Sequence, residues 1–455
     1  MLTNDNNEKE LIKALLANKY EIDLIGIELS NEKIKLCGKG YIFLDHEGNF
    51  LLKFFSDLKY SEQERLKLIS DYHSQYESST HLVSDFYELK AEDQNESVYE
   101  CQKLIAKSPI DNVSIFYLQS RLNASFNIGS STRVIFSGKY SVPTSGLLCS
   151  KTTVGDSFEY TDNKEVWEFE LIENIPLVFS KFEDYIELII VHEANTNLDH
   201  QFIEDVIKFF GFVLGMEPEP VYINIVDKGH TLINRRNMLQ AKSSFIPPLP
   251  INHNRGNSYT ENHSNLFKAY FIYLWNNKNC SLPVIHKRVV SGSRNYLYAF
   301  GLILAIQIEN LCKDYYKNYY IKDDEFLKAL DDTIKLLKQP TTLIKNKIDI
   351  ISRLCQMKPK DGDRSKLNVK NILNNLSKAD IIEDALIKSW IDLRSVTAHG
   401  DEYSNKDWNK FLKDIFYCTN LYYQLIFNLI KYSGSYSYFD NNQYILKDYL
   451  YNDSQ

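Results

Sequence analysis

Hydrophobic residues recur along this chain with two different periods, and the change of period divides it. In the first half they come in short runs that mix β-branched and aromatic residues, at 21–29, 39–44, 50–55, 113–118, 133–136, 167–171 and 186–191. Clusters of Ser, Asn, Gly and Pro separate these runs, and Asp45-His46-Glu47-Gly48 reads as a turn joining two of them. Many short strands with such punctuation predict a β-sandwich or two packed sheets. A leading helix and one helical interruption are expected. Residues 9–19 read as a short leading helix. Asp199 is placed to cap a second one, in which Phe202, Val206, Phe209 and Val213 share one face before a strand at 221–226.

The stretch from Phe245 to Ser258 holds three of the eleven prolines and then turns polar. That composition ends regular structure, so a domain boundary is expected near residue 255, with 1–255 β-rich and 256–455 helical. Beyond it the spacing predicts helices over 265–276, 295–320, 324–338, 343–354 and 369–376. The helix over 295–320 is apolar nearly all round and should be central. Ile382, Leu386, Trp390 and Leu393 mark one face of a further helix. Trp408, Phe411, Ile415, Cys418, Tyr422, Leu425 and Leu429 alternate at three and four over the last, a seam for packing against another helix. Ser404 fits its N-cap and Gly434 its stop. The tail to Gln455 is Tyr-rich without a clear period. The fold class is therefore α+β, a sandwich-like first half followed by an all-α bundle.

Composition narrows the chemistry. The seven cysteines are scattered, odd in number and never paired as CxxC, which points to a reducing, cytoplasmic compartment and away from a zinc ribbon or disulfide framework. The start is acidic and polar, unlike a signal peptide, and no apolar run approaches the roughly 18 residues of a membrane span. The net charge of −8 argues against a dedicated nucleic-acid binder, but the charge is uneven. Residues 261–455 carry 27 Lys and Arg against 22 Asp and Glu, while 1–260 carry 25 against 38. An acidic front and a mildly basic back suggest different tasks, although drift would produce the same asymmetry.

The candidate chemistry lies in Trp390-Ile-Asp-Leu-Arg394-Ser-Val-Thr-Ala-His399-Gly400. It sets an Arg and a His five positions apart where a helical pattern gives out before Gly400, a natural helix stop. Five residues of ideal helix turn two side chains about 140° apart. Either the helix ends between Arg394 and His399, or a second copy of the site supplies the convergence. An Arg fork to hold phosphate charge and a titrating His to move protons are what phosphodiester chemistry needs. The bare spacing arises about once by chance in a chain this long. A helix C-cap for His399 and a surface ion pair for Arg394 are the plain alternatives.

With its helical context, the segment resembles a HEPN domain: Leu-Arg-polar-x-x-Ala-His-Gly between the last two helices of a C-terminal bundle. The tail Leu429-Ile-Lys-Tyr-Ser-Gly-Ser-Tyr and the Gly40–Leu44 strand of a β-rich first half resemble the ApeA-like branch. The resemblance spans about residues 262–440 and is looser over 1–255. It implies a metal-independent endoribonuclease of a bacterial toxin or abortive-infection system, without cofactor, acting as a homodimer with two Arg/His motifs across one cleft. Arg394 and His399 match the catalytic pair. Ser395 stands where the family prefers Asn, Asp or His. Glu309 is a supporting candidate, since the family often carries an acidic residue in this helix near the motif Arg. It reads equally as a solvent-facing Glu beside Lys313, one helical turn on. The substrate would be RNA, tRNA among the candidates, and residues 1–255 would sense a phage-derived trigger.

Other readings stand beside this one. The bundle could be a non-catalytic dimerisation or RNA-binding module in which the motif is structural. The loop 358–366 could touch phosphates, and Tyr315, Tyr316, Tyr319 and Tyr320 could stack bases, but solvation and packing explain both. No P-loop, HExxH or GxSxG is present, and the dispersed histidines suggest no metal site.

Overall fold

The computed structural model describes the chain apart from residues 1, 32–34, most of 58–85, 111–112, 119, 126–130, 139–141, 144–145, 155–157, 193–197, 219, 227, 233–244, 250–256, 322–323, 340–345, 358–366, 400–407 and 452–455. The boundary expected near 255, the cap Ser404 and the loop 358–366 lie outside the described residues. The chain forms two compact units. One takes Met1–Ile207, Pro218–Ala241 and Ile251–Ser264; the other takes Lys208–Glu217, Lys242–Pro250 and Asn265–Gln455.

The first unit begins with helix α1 (Leu2–Leu16), longer at its start than the spacing suggests. The strands that follow are all antiparallel. β1 (Glu21–Ser30), β2 (Lys35–Leu44), β3 (Phe50–Ser56), β4 (Tyr87–Glu92), β5 (Val98–Ile110) and β6 (Val113–Leu118) lie in the order β4-β1-β2-β3-β6-β5, and β4 also pairs with β5. The six therefore close into a barrel, not the sandwich that the strand pattern suggested. Bulges at Leu24/Ile27, Tyr87/Leu89 and Ala106/Ser108 bend the sheet toward closure. A Cβ at Gly40 would sit 2.0 Å from the Lys53 carbonyl oxygen, so only glycine lets β2 approach β3 there. Leu24, Ile42, Leu52, Phe54, Tyr87, Leu104 and Phe116 fill the interior, and Ile12 and Leu15 of α1 join that core.

The sheet continues from β5 through β7 (Leu122–Ala124) and then β14 (Gly229–Leu232), β13 (Pro220–Ile225), β8 (Thr132–Ser137), β12 (Tyr185–Ile190), β11 (Ile175–Lys181), β10 (Phe158–Ile172) and β9 (Gly146–Val154). Glu8 of α1 is wholly buried, where its carboxylate accepts from Tyr222 Oη at 2.7 Å and pairs with Arg133 at 3.0 Å. A buried carboxylate survives only with such partners.

Helix α2 (His200–Leu214) has the expected cap: Phe202 N donates to Asp199 Oδ1 at 2.7 Å. Helix α3 (Asn257–Asn276) begins in the first unit and ends in the second, whose further helices are α4 (Leu282–Gly292), α5 (Leu297–Tyr315), α6 (Asp324–Lys338), α7 (Lys347–Met357), α8 (Val369–Lys378), α9 (Asp384–His399) and α10 (Trp408–Leu429). α4 has no counterpart in the sequence reading, although Pro283 in its first turn is a start signal. α5 packs against α4, α8, α9 and α10, as its apolar surface predicts, yet Leu297 and Ile306 stay exposed.

The second unit is not all helical. The Tyr-rich tail is a hairpin of β15 (Gly434–Asp440) and β16 (Gln443–Tyr449), turned at Asn441 and Asn442 with φ 46° and 64°. Two positive φ values make this the turn type that matches strand twist. Gly434 therefore opens a strand and does not stop α10. Lys431, at φ 57°, takes the left-handed position, and Tyr432 N closes onto the Phe427 carbonyl at 2.9 Å.

Candidate functional site

The motif is carried by α9, and α5 positions it. Trp390 Nε1 donates to the Ala305 carbonyl at 3.2 Å, anchoring α9 by its bulkiest side chain. At Gly301 a Cβ would lie 3.0 Å from Leu393 Cδ1 and 3.2 Å from Phe411 Cζ, so α5 meets α9 and α10 at a position with no side chain. Leu393 is fully buried. Thr397 Oγ1 donates back to the Leu393 carbonyl at 2.7 Å, which satisfies a buried hydroxyl without an outside partner.

Arg394 leaves this packed stripe. Its Nε donates to Glu309 Oε1 at 2.9 Å; the Glu309 side chain is 16% exposed and that of Arg394 49%. Of the two readings of Glu309, the structure has the carboxylate on Arg394. The ion pair fixes the inner edge of the guanidinium and leaves half of the side chain in solvent. Ser395 is exposed on the next position.

α9 does not end between Arg394 and His399. It runs unbroken to His399, its last residue. Of the two alternatives the helix break is not the one found; Trp390 and Thr397 hold the preceding turns through their bonds to the Ala305 and Leu393 carbonyls. Within one chain the positions of Arg394 and His399 are about 140° apart around the helix. The side chain of His399, and Gly400, lie outside the described residues. The last four carbonyls of a helix have no partner within it. One of them, Val396 O, accepts from Tyr298 Oη at 2.7 Å.

Tyr298 is a residue that the sequence reading missed. It sits eleven positions before Glu309, about 20° around α5, and so lies on the same stripe. That phase was the available signal. Its ring stacks on Phe411 at 5.5 Å and 28°, and Phe411 meets Trp408 at 5.4 Å and 33°.

Of the four tyrosines at and just beyond the end of α5, Tyr316 is buried and Tyr315, Tyr319 and Tyr320 are half-buried. The Tyr316 hydroxyl lies on the Leu425 carbonyl and on Asn428. Tyr315 Oη and Ser281 Oγ lie 2.9 Å apart. On the other side of α9, Asp414 of α10 is buried, and among the described residues one of its carboxylate oxygens has no hydrogen-bond partner. Burial pushes its carboxyl up; a hydrogen bond from Ser389 opposes this and the negative charge of Asp392 adds to it. Lys410 compensates Asp392 at 2.9 Å.

Among the described residues no three His, Cys, Asp or Glu side chains come together as metal ligands, and no helix is long and apolar enough to cross a membrane. Compared with protein-family models, curated proteins and solved structures, the chain matches none.

Proposed function

We propose that the second unit is a HEPN-type, metal-independent endoribonuclease of a bacterial abortive-infection or toxin system. The observation that carries the reading is the Arg394 guanidinium. It is held at one edge by Glu309 and open at the other, on a helix that delivers His399 at its last position. In the proposed reaction the 2′-hydroxyl of the RNA attacks the adjacent phosphate. His399 serves as general base or acid, and Arg394 stabilises the crowded, negatively charged phosphorane. The first unit acts as a sensor or regulator of this activity, responding to a phage-derived component.

Because α9 is continuous, the positions of Arg394 and His399 in one chain lie about 140° apart around the helix. A two-fold homodimer supports convergence, since motif residues near the axis meet their own copies. Two imidazoles would also supply a base and an acid together, which a single motif lacks.

Purified protein incubated with total RNA in EDTA should leave 2′,3′-cyclic phosphate or 3′-phosphate ends. His399→Ala should remove the activity while the helical spectrum persists, and sedimentation should give a dimer. Cleavage that needs Mg²⁺ and leaves 3′-hydroxyls would refute the mechanism.

A second reading has observations of its own. Arg394 Nε is already given to Glu309, as in a purely structural ion pair, and Ser395 departs from the family preference. On this reading the bundle is a non-catalytic dimerisation or RNA-binding module. Toxicity on overexpression that disappears in His399→Ala separates the two.

A further inference from the structure

The tail hairpin has one closed edge and one open edge. On β15, Ser437 N donates to the Pro248 carbonyl at 2.7 Å. Asn420 of α10 brackets Phe439, with Nδ2 donating to the Phe439 carbonyl at 2.9 Å and Oδ1 accepting from Phe439 N at 3.0 Å. Ser437 and Phe439 thus turn their backbone groups away from β16. Their cross-strand partners are Leu446 and Tyr444, and Asp448 follows in the same alternation, opposite Ser435. Residues directly opposite in an antiparallel pair either exchange bonds or both face outward. The backbone groups of Tyr444, Leu446 and Asp448 therefore point out of the hairpin, and among the described residues they take no hydrogen bond.

An exposed strand edge is normally guarded by charge, proline or a bulge. β16 has no proline and pairs with β15 in unbroken register. Its cation is drawn back: Lys447 Nζ lies 2.9 Å from Glu383 and 4.2 Å from the Tyr438 ring centroid. What the edge shows instead is Tyr444, Ile445 and Leu446 in succession, 40%, 38% and 37% exposed. Single exposed apolar residues are common, but a run of them along an unpaired edge is a surface that another strand covers.

We propose that this edge pairs with β16 of a second copy of the chain, antiparallel about a two-fold axis at Leu446. A row of alternating N–H and C=O groups is satisfied by an extended strand. β16 suits its own copy because Leu446 is the middle residue of Gln443–Tyr449, so an axis there pairs the strand along its whole length. In that register Leu446 faces Leu446 of the second copy, Tyr444 faces Asp448 of the second copy, and Ile445 faces its Lys447. An axis at Lys447 or Asp448 would instead set that residue against its own copy, which like charge disfavours.

Lys447 reaches Glu383, the residue before α9, so this edge lies at the other end of α9 from His399, about 24 Å along the helix. The strand interface is thus separate from the motif cleft and does not require nuclease activity. A single strand pair is a small contact, which makes the association concentration-dependent. A chain with both two-folds grows beyond a dimer as its concentration rises.

The test uses the full chain. Leu446→Cys sets two thiols across the axis, where a bonded antiparallel pair brings Cα atoms to about 5.5 Å, within disulfide reach. Mild oxidation should join this variant into a covalent dimer at least about tenfold faster than Tyr444→Cys, whose copies stand about 14 Å apart, and faster than the unchanged protein. Leu446→Pro removes an outward N–H and no hairpin bond. It should keep the near-ultraviolet circular dichroism and lower the weight-average mass in concentrated solution by at least about half. Equal cross-linking of the two cysteine variants, or none above the unchanged protein, overturns the proposal, as does an unchanged mass in folded Leu446→Pro. If Leu446→Pro does not fold, the cysteine pair alone decides. Cross-linking at Leu446→Cys in protein that leaves RNA intact would sustain the strand interface and refute the nuclease; cleavage without cross-linking would do the reverse.

Discussion

His286 in α4 gives the second unit an acid-sensitive core. It is 5% exposed and sits among Phe212, Phe245 and Tyr422, with ring centroids 4.9, 6.1 and 6.3 Å away. Nδ1 lies 3.1 Å from Tyr422 Oη, and among the described residues Nε2 has no hydrogen-bond partner. Among the described residues no carboxylate pairs with it to compensate a charge, and burial pushes its pKa down to about 3 from the usual 6.5. The unfolded chain takes up the proton first. The stability that His286 contributes is therefore complete above pH 6.5 and is lost as pH falls toward 3. At about 1.36 kcal/mol per pH unit, lowering the pH to 5 costs about 2 kcal/mol, and reaching pH 3 costs roughly 5 kcal/mol. His286→Asn keeps a hydrogen-bonding atom near the Nδ1 position and carries no titrating proton. It should be less stable at pH 7.5, by about 1–3 kcal/mol for the lost volume. Between pH 7.5 and 5, however, it should lose about 2 kcal/mol less than the unchanged protein, or about 4–8 °C in Tm for a domain of this size. Urea unfolding followed by near-ultraviolet circular dichroism at several pH values measures the difference, in which the other nine histidines cancel. Equal pH dependence in the two proteins would refute the assignment.

Three further outcomes follow from the site. Arg394→Ala should remove RNA cleavage yet change stability by no more than about 1 kcal/mol, because the guanidinium is half exposed and its ion pair is screened; a loss above about 3 kcal/mol in urea unfolding would show the pair to be a core element. Asp414→Asn should raise Tm at neutral pH, since the folded carboxyl is shifted up and ionising it costs stability; the gain should vanish below pH 3.8, where the unfolded carboxyl is protonated too, and a constant gain at every pH would contradict the cause. Gly301→Ala places a methyl 3.0 Å from Leu393 Cδ1, so it should cost about 1–3 kcal/mol by overpacking and lower cleavage through displacement of α9; unchanged stability would mean that the α5–α9 contact is looser than its distances.

Much of this protein is written in local pattern. The switch from period two to the three-and-four spacing after the proline-rich stretch is enough to place strands before helices, because each element buries one face and repeats accordingly. The Asp199 cap and the central burial of α5 are legible for the same reason. Three features are not. Alternation looks the same in a sandwich and in a barrel, so closure through the β4–β5 pairing was decided by bulges and by the close approach at Gly40, which are non-local. The helix stop at Lys431 was hidden because hydrogen bonds to the preceding turn can hold a Lys at positive φ, where pattern expects Gly. At the site, sequence placed Arg394, Ser395 and His399 in one segment and Glu309 in another, with two readings open for Glu309. Only packing joined Arg394 to Glu309 and Tyr298 to Val396, and only packing kept α9 helical through His399. Spacing along a chain fixes the phase of residues on one element, whereas which elements meet depends on the free energy of burying all of their faces at once.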